Sequence, residues 1–315
     1  IAGRTEVRPE GLSYFFVGLF IFILYRYAKD DLYNQIQSKL IWLLPLILLF
    51  WVNSHIYFIF GPFLIGAFLG EALIRRNIDK AKKLFLILAT SLIVMCINPY
   101  GIQGVLYPFT IFKNYGYRII ENQSINFLEN MSFTNPDFLW YKITFLLVLV
   151  SSIIVLIKKR VSFEWALSIT AFTFGILGYL GIRHIPLFAL VSLPLLSSNL
   201  ASIKQISRGW IEKLDRENRI IIFVISFCII AGSTVFQFRD KLPWNRNFGI
   251  GIQSEVMAPI EFIKTNDIHG PFFNNYDIGG FMIFGLFDRE KVFVDNRPEA
   301  YPKEFFQNVY IPMQE

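Results

Sequence analysis

Apolar residues in this chain come in runs, and the polar residues fall between the runs. Such runs show neither the alternation of a half-buried strand nor the single stripe of a surface helix. Eight of them predict membrane segments: Leu12–Tyr25, Leu40–Val52, Ile56–Ile74, Leu84–Ile97, Phe138–Ile157, Phe163–Leu180, Ile185–Leu196 and Ile220–Phe236. Several are shorter than the roughly 20 residues that cross a bilayer. Their ends therefore extend into polar flanks, or they are half-spans buried among neighbours.

One run raises its own question. From Leu40 to Ile74 the chain is oily except at Asn53, Ser54 and His55 and, near its end, Glu71. As a single helix it would be about 52 Å long at 1.5 Å per residue. The hydrocarbon core is only about 30 Å thick. Either the helix kinks, or the chain turns at the polar trio and returns.

Charge favours the turn. Lys and Arg crowd alternate connectors: Arg26, Lys29 and Lys39; Arg75, Arg76, Lys80, Lys82 and Lys83; Lys158, Lys159 and Arg160; Lys204, Arg208, Lys213, Arg216 and Arg219. The other connectors hold only Arg4, Arg8, Lys113, Arg118 and Arg183. Positive connectors stay in the cytoplasm. The alternation is consistent only if residues 53–55 form a hairpin tip. That tip, residues 4–10, the loop 98–137, Arg183 and His184, and everything after Phe236 then face outward.

Composition agrees. Hydrophobic residues make up 54%, charged residues 17%, and mean hydropathy is +0.46. An ordinary soluble domain carries more charge. The net charge of +6 belongs to short connectors, so nucleic acid is not an expected partner. The near absence of charge within the runs argues against an ion or proton pathway. Cys96 and Cys228 lie in apolar runs and read as small buried hydrophobes. No Cys/His metal spacing, Gly-rich phosphate loop, nucleophile elbow or repeat is present. The start at Ile1 and the stop at Gln314-Glu315 suggest a fragment lacking at least one earlier span.

The expected architecture is thus an α-helical polytopic membrane protein. Residues 1–238 form the membrane domain, and 239–315 a small extracytoplasmic α/β domain, cut short. In that tail MAPIEFIKTN (257–266), with Pro259 in its first turn, and FFQNVY (305–310) read as helices. GPFFNN (270–275) and KVFVD (291–295) read as strands.

Candidate chemistry gathers on the outward side. Arg183 and His184, in GIRHIP (181–186), pair a planar fork of donors with a switchable ring, a combination suited to phosphate. The alternative is a hairpin tip that only needs polar residues. Asn53 and His55 carry the same two readings. Glu6 and Glu10 offer carboxylates for a general base and Arg8 a cation for an anion; equally, Glu–Arg pairs there dock the segment on the bundle. The loop 98–137 opens with the turn signal NPYG, and Tyr107–Phe112 reads as a short interfacial helix. Asn122-Gln-Ser and Asn130-Met-Ser match glycosylation sequons. Asp295 and Arg297 follow the VFV run, where α/β units place functional side chains; a salt bridge fixing the loop is the alternative.

The order of these motifs adds a further expectation. RTEVRPEG, FWVNSHIYFIFG, INPYG, GIRHIPLFAL, GPFFNNYDIGG and VFVDNRPEAYP together resemble a family of uncharacterised bacterial polytopic membrane proteins. That family is similar to the GT-C glycosyltransferases. The resemblance covers nearly the whole chain. It implies a multi-pass protein of the bacterial cytoplasmic membrane that transfers a sugar from a polyprenyl-phosphate donor to an acceptor on the outer face. Arg183 and His184 are then candidates for the carrier phosphate, and Arg8, Asn53 and His55 for lining the site. The catalytic acid of such enzymes usually lies in the first outer loop, which this reading places before Ile1; Glu6 or Glu10 would stand in for it. Membrane lipid and the lipid-linked donor are the implied partners. No cofactor is implied, and a divalent metal is left open. A transporter or flippase of lipid-linked material, or a non-catalytic assembly protein that presents the tail, remain the competing readings.

Overall fold

The computed structural model describes residues 9–29, 39–109, 116–133, 135–206 and 254–314, with 224, 225, 228 and 232. Among the described residues the chain is helical, and no strand occurs. It divides into two compact units: residues 1–112 with 118–219, and residues 113–117 with 220–315.

The first unit is a bundle. Its helices are α1 (Glu10–Lys29), α2 (Leu43–Val52), α3 (Phe60–Ile74), α4 (Ile78–Val94), α5 (Gly101–Leu106), α6 (Ile125–Asn130), α7 (Pro136–Lys158), α8 (Trp165–Leu180) and α9 (Ile185–Ile206). With the 3-10 turns that precede α3 and α9, four stretches are long and apolar enough to cross a membrane: Glu10–Lys29, Ile56–Ile74, Pro136–Lys158 and Ile182–Lys204. The chain is that of a helical membrane protein.

Eight full spans are not what the described residues show. Helices α2 and α8 are apolar but short, at 10 and 16 residues. Helix α4 spends its first turns on Asp79, Lys80, Lys82 and Lys83. The run 220–236 lies almost wholly outside the described residues.

The turn at Asn53–His55 is real. Helix α2 stops at Val52, and His55 is extended at φ −160°. The arms then meet: a Cβ on Gly61 would lie 2.8 Å from the Leu48 side chain. Thirteen residues of continuous helix would instead separate those positions by about 20 Å.

Helix α9 runs well past its expected end at Leu196. Two of the polar residues there, Ser198 and Asn199, are used between helices. Asn199 donates from Nδ2 to Ser151 Oγ (3.1 Å) and Ser152 Oγ (3.0 Å) on α7. Ser198 donates to Glu164 ahead of α8 (3.0 Å). Small and polar residues hold helices together where lipid removes the hydrophobic drive. Gly175 plays the steric part: a methyl there would collide with Phe145 of α7.

The core of the bundle is aromatic and aliphatic, centred on Phe20, Trp51, Phe174 and Phe188. Its outside is apolar too: Phe22, Phe50, Phe85, Leu146 and Leu193 are exposed, as a lipid-facing surface allows. Cys96 and Cys228 are free and exposed, not buried as expected. A small apolar thiol suits a lipid-facing position as well as a core.

The second unit holds α10 (Ser254–Thr265), α11 (Gly279–Leu286) and a short helix (Lys303–Phe305) continuing as a π-turn (Phe306–Tyr310). Pro259 lies inside α10 rather than in its first turn. The expected strands 270–275 and 291–295 do not form. Asn274 supplies the reason. Its Nδ2 donates to Val294 O (2.7 Å), and its Oδ1 accepts from Phe293 N (2.9 Å). One side chain thus takes the backbone groups that a ladder would have used. An aromatic cluster of Tyr117, Tyr276, Phe306 and Tyr310 closes this unit.

Candidate functional site

Helix α1 begins at Glu10, and one side of its first turn is buried. Glu10 is 4% exposed and Ser13 fully buried. A carboxylate in the first turn suits the positive end of a helix dipole. A partner comes from 173 residues further along the chain. Arg183, in the 3-10 turn Ile182–His184, donates from Nη2 to Glu10 Oε1 (2.7 Å) and from Nη1 to Asn122 Oδ1 (2.8 Å). Tyr14 Oη donates to the Arg183 carbonyl (3.3 Å), and Ile182 N–H to Gln123 O (3.2 Å). Arg183 thereby joins α1, the turn Ile120–Asn122 and its own tip. Its Nε is buried without a hydrogen-bond partner among the described residues.

The two histidines are fixed by different chains of hydrogen bonds. Trp51 Nε1–H donates to Ser13 Oγ (2.8 Å), and Ser13 Oγ lies 2.8 Å from His55 Nδ1. Tyr57 N–H also points to that nitrogen (3.4 Å). With Tyr57 N–H donating to it, Nδ1 is an acceptor, and the ring proton belongs on Nε2. In His184, Nδ1 faces the Gly181 carbonyl at 3.2 Å, so Nδ1 carries the proton and a neutral ring leaves Nε2 as acceptor. The Tyr57 ring contacts both, edge-on to His55 (4.7 Å between centroids) and stacked on His184 (5.6 Å). The end of the bundle thus sets one imidazole as donor, another as acceptor, and a guanidinium beside them. Burial strengthens the attraction of the guanidinium for an anion.

Glu10, His55, Arg183 and His184 therefore come together as the sequence suggested. Asn53 does not join them: its Nδ2 donates to Leu49 O (2.8 Å) and Ile97 O (3.0 Å), stitching the hairpin tip to the end of α4. Glu6 and Arg8 lie outside the described residues. Ser13, Trp51, Tyr57 and Asn122 went unremarked as site residues. Ser13 is a single serine in an apolar helix, and Asn122 stands out in the sequence only as a sequon; its amide oxygen is held by Arg183.

Asp295 and Arg297 belong to the second unit and to each other. Arg297 donates from Nε to Oδ1 (3.0 Å) and from Nη2 to Oδ2 (2.6 Å), and its N–H to Oδ1 (2.9 Å). Asp295 N–H donates to Tyr301 Oη (3.0 Å). This is a self-contained loop clasp. The Arg297 hydrogen bonds hold the buried Asp295 carboxyl below the usual carboxylate range. Its contribution to stability is complete above the unfolded carboxylate pKa of about 3.9. It is lost as pH falls from there through the lower folded value. Hydrogen exchange of peptides over 291–310, corrected for intrinsic rate, should lose protection on that acid side in the full chain. Asp295→Asn should remove that pH dependence.

The opposite end of the bundle collects the basic connectors. Lys29 pairs with buried Glu164, and Lys80 Nζ donates to Ala28 O (2.8 Å). Arg75 donates to Glu71 Oε1 (2.7 Å), Val161 O (2.8 Å) and Phe163 O (2.8 Å). Glu10 and Lys29 stand at the two ends of one 20-residue helix, about 30 Å apart. The histidine-bearing tips and the cationic connectors are thus separated by the length of a span. Among the described residues no group of three or more His, Cys, Asp or Glu is placed to share a metal ion.

Comparison of the chain with protein-family models, with curated proteins and with solved structures gives no match in any of the three.

Proposed function

We propose that the Arg183 end of the bundle receives the phosphate head of a polyprenyl-linked sugar donor, and that the protein is a GT-C-like membrane glycosyltransferase acting at the outer face of a bacterial cytoplasmic membrane. The observation that carries this reading is the anchored guanidinium of Arg183, with a buried unpartnered Nε, next in the chain to His184, whose ring shares the Tyr57 ring with His55, at one end of membrane-length helices.

The physical fit is direct. An isoprenoid tail stays in lipid, so its phosphate lies at headgroup depth. An enzyme for it needs an apolar body below and cationic donors at the rim. In the transfer, an acceptor oxygen attacks the anomeric carbon and the carbon–oxygen bond to phosphate breaks. The phosphate leaves with the bonding pair, and the acceptor proton passes to a base. In this reading Arg183 stabilises the leaving charge. Glu10 orients that guanidinium; it becomes a proton acceptor only as Arg183 turns toward phosphate.

A second reading has its own observation. Both terminal nitrogens of Arg183 are already occupied by Glu10 and Asn122, as in a structural pin of a non-catalytic assembly protein. The two readings separate in a transfer assay. Membranes containing the full chain are incubated with polyprenyl phosphates bearing radiolabelled hexoses, and label leaving the lipid fraction is counted. Wild type and Lys82→Ala should transfer; Arg183→Ala and His184→Ala should not. Undiminished transfer by folded Arg183→Ala would overturn the proposal.

A further inference from the structure

The stretch INPYGIQGVLYPF, residues 97–109, contains no charged residue and no histidine. It nonetheless presents Ile97, Tyr100, Ile102, Leu106, Tyr107 and Phe109 as exposed side chains. We propose that this segment is a membrane-interface shelf, seated on the lipid headgroup–acyl boundary beside the candidate site.

The Asn98 side chain is turned onto the backbone of the turn. Asn98 donates from Nδ2 to Met95 O (2.9 Å) and Gly101 O (2.9 Å), and its Oδ1 accepts from Tyr100 N (2.8 Å). A loop that enters a low-dielectric layer must satisfy its backbone internally, and Asn98 does that for this turn. Two glycines make the turn possible. Gly101 sits at φ +53°, and a Cβ on Gly104 would strike the Asn98 side chain. Gln103 apart, the large side chains left outside are aromatic and aliphatic, the composition favoured at a membrane interface.

Its depth follows from its neighbours in the same unit. Helix α4 lies against α3, part of a span-length stretch, and exposes Phe85, Leu86, Leu92 and Ile93. The shelf continues that apolar face past the end of α4. Asn53 Nδ2 bonds Ile97 O, and the turn Tyr107–Phe109 packs on the turn Ile56–Ile59. The shelf is therefore level with the end of the span that starts at Ile56, and touches the turn that carries Tyr57. The start of α4, by contrast, is heavily charged. The occupant that fits an uncharged apolar surface at this level, continuous with a lipid-facing helix, is the bilayer itself.

The test needs no knowledge of activity. In a Cys96→Ala, Cys228→Ala background, Ile102→Cys carries an environment-sensitive fluorophore, and Lys82→Cys carries the same probe as a control. Both proteins are placed in phosphatidylcholine nanodiscs. The proposal predicts blue-shifted emission at position 102, quenching by lipids spin-labelled near the headgroup, and loss of iodide quenching relative to position 82. Iodide quenching at 102 equal to that at 82 would show a water-facing loop and overturn it. Protection from iodide without quenching by spin-labelled lipid would show that protein covers the segment, and would overturn it equally.

Discussion

Arg183→Ala should destabilise the protein by roughly 3 kcal/mol, the lower end for breaking a buried ion pair. The Arg183 side chain is 27% exposed and that of Glu10 only 5%, so most of the cost is the loss of the Arg183 hydrogen bond and charge from the buried Glu10 carboxylate. The loss also frees the turn Ile120–Asn122, because Asn122 Oδ1 loses its donor. Glu10→Gln should cost less, since an amide still accepts a hydrogen bond. The double variant should fall short of the sum, with a coupling above about 1 kcal/mol. Unfolding in mild detergent, followed by Trp fluorescence, measures all four corners of the cycle. Additive effects would mean that the pair contributes nothing beyond its separate packing. Arg183→Lys is the informative companion. It keeps the charge but loses the fork that reaches Glu10 and Asn122 together.

The second large effect lies at the opposite end. Glu71 is buried, accepts from Arg75 Nε, and caps α8 by accepting from Ala166 N–H (2.8 Å). Glu71→Ala removes the cap and the counter-charge together, and should cost roughly 3–4 kcal/mol. Glu71→Gln retains an acceptor for Ala166 and should recover a substantial part of that. Arg75 also holds Val161 O and Phe163 O, so the connector between α7 and α8 should become the first protease-sensitive point in Glu71→Ala. Limited proteolysis of the full chain reads this directly. A connector as resistant as in wild type would show that Arg75 holds it without Glu71.

Much of this was legible in the chain. The runs of apolar residues marked the helices, and the alternation of basic connectors required the reversal at Asn53–His55 that the structure contains. The same alternation grouped the basic connectors at one end and Arg183, His184 and His55 at the other. Helix ends were harder to read, and α9 shows why. Ser198 and Asn199 look like a polar boundary until their partners Glu164, Ser151 and Ser152 are known. The tail departs from the pattern of its sequence for a related reason. Short β-branched and aromatic runs suggested strands, but the Asn274 side chain occupies the backbone groups of residues 293 and 294. At the site, charged and titratable residues were found from local context. Ser13, Trp51 and Asn122 were not, because their roles depend on contacts 38 to 61 residues away in sequence.

The central claim is that Arg183 is a receptor for a lipid-borne phosphate and not only a pin. Titrating a polyprenyl phosphate into the full-length chain in nanodiscs, with bound lipid counted by native mass spectrometry, tests it most directly. The account predicts saturable binding to wild type and to Lys82→Ala, weaker binding to Arg183→Lys, and none to Arg183→Ala. Equal occupancy of folded Arg183→Ala and wild type would contradict it.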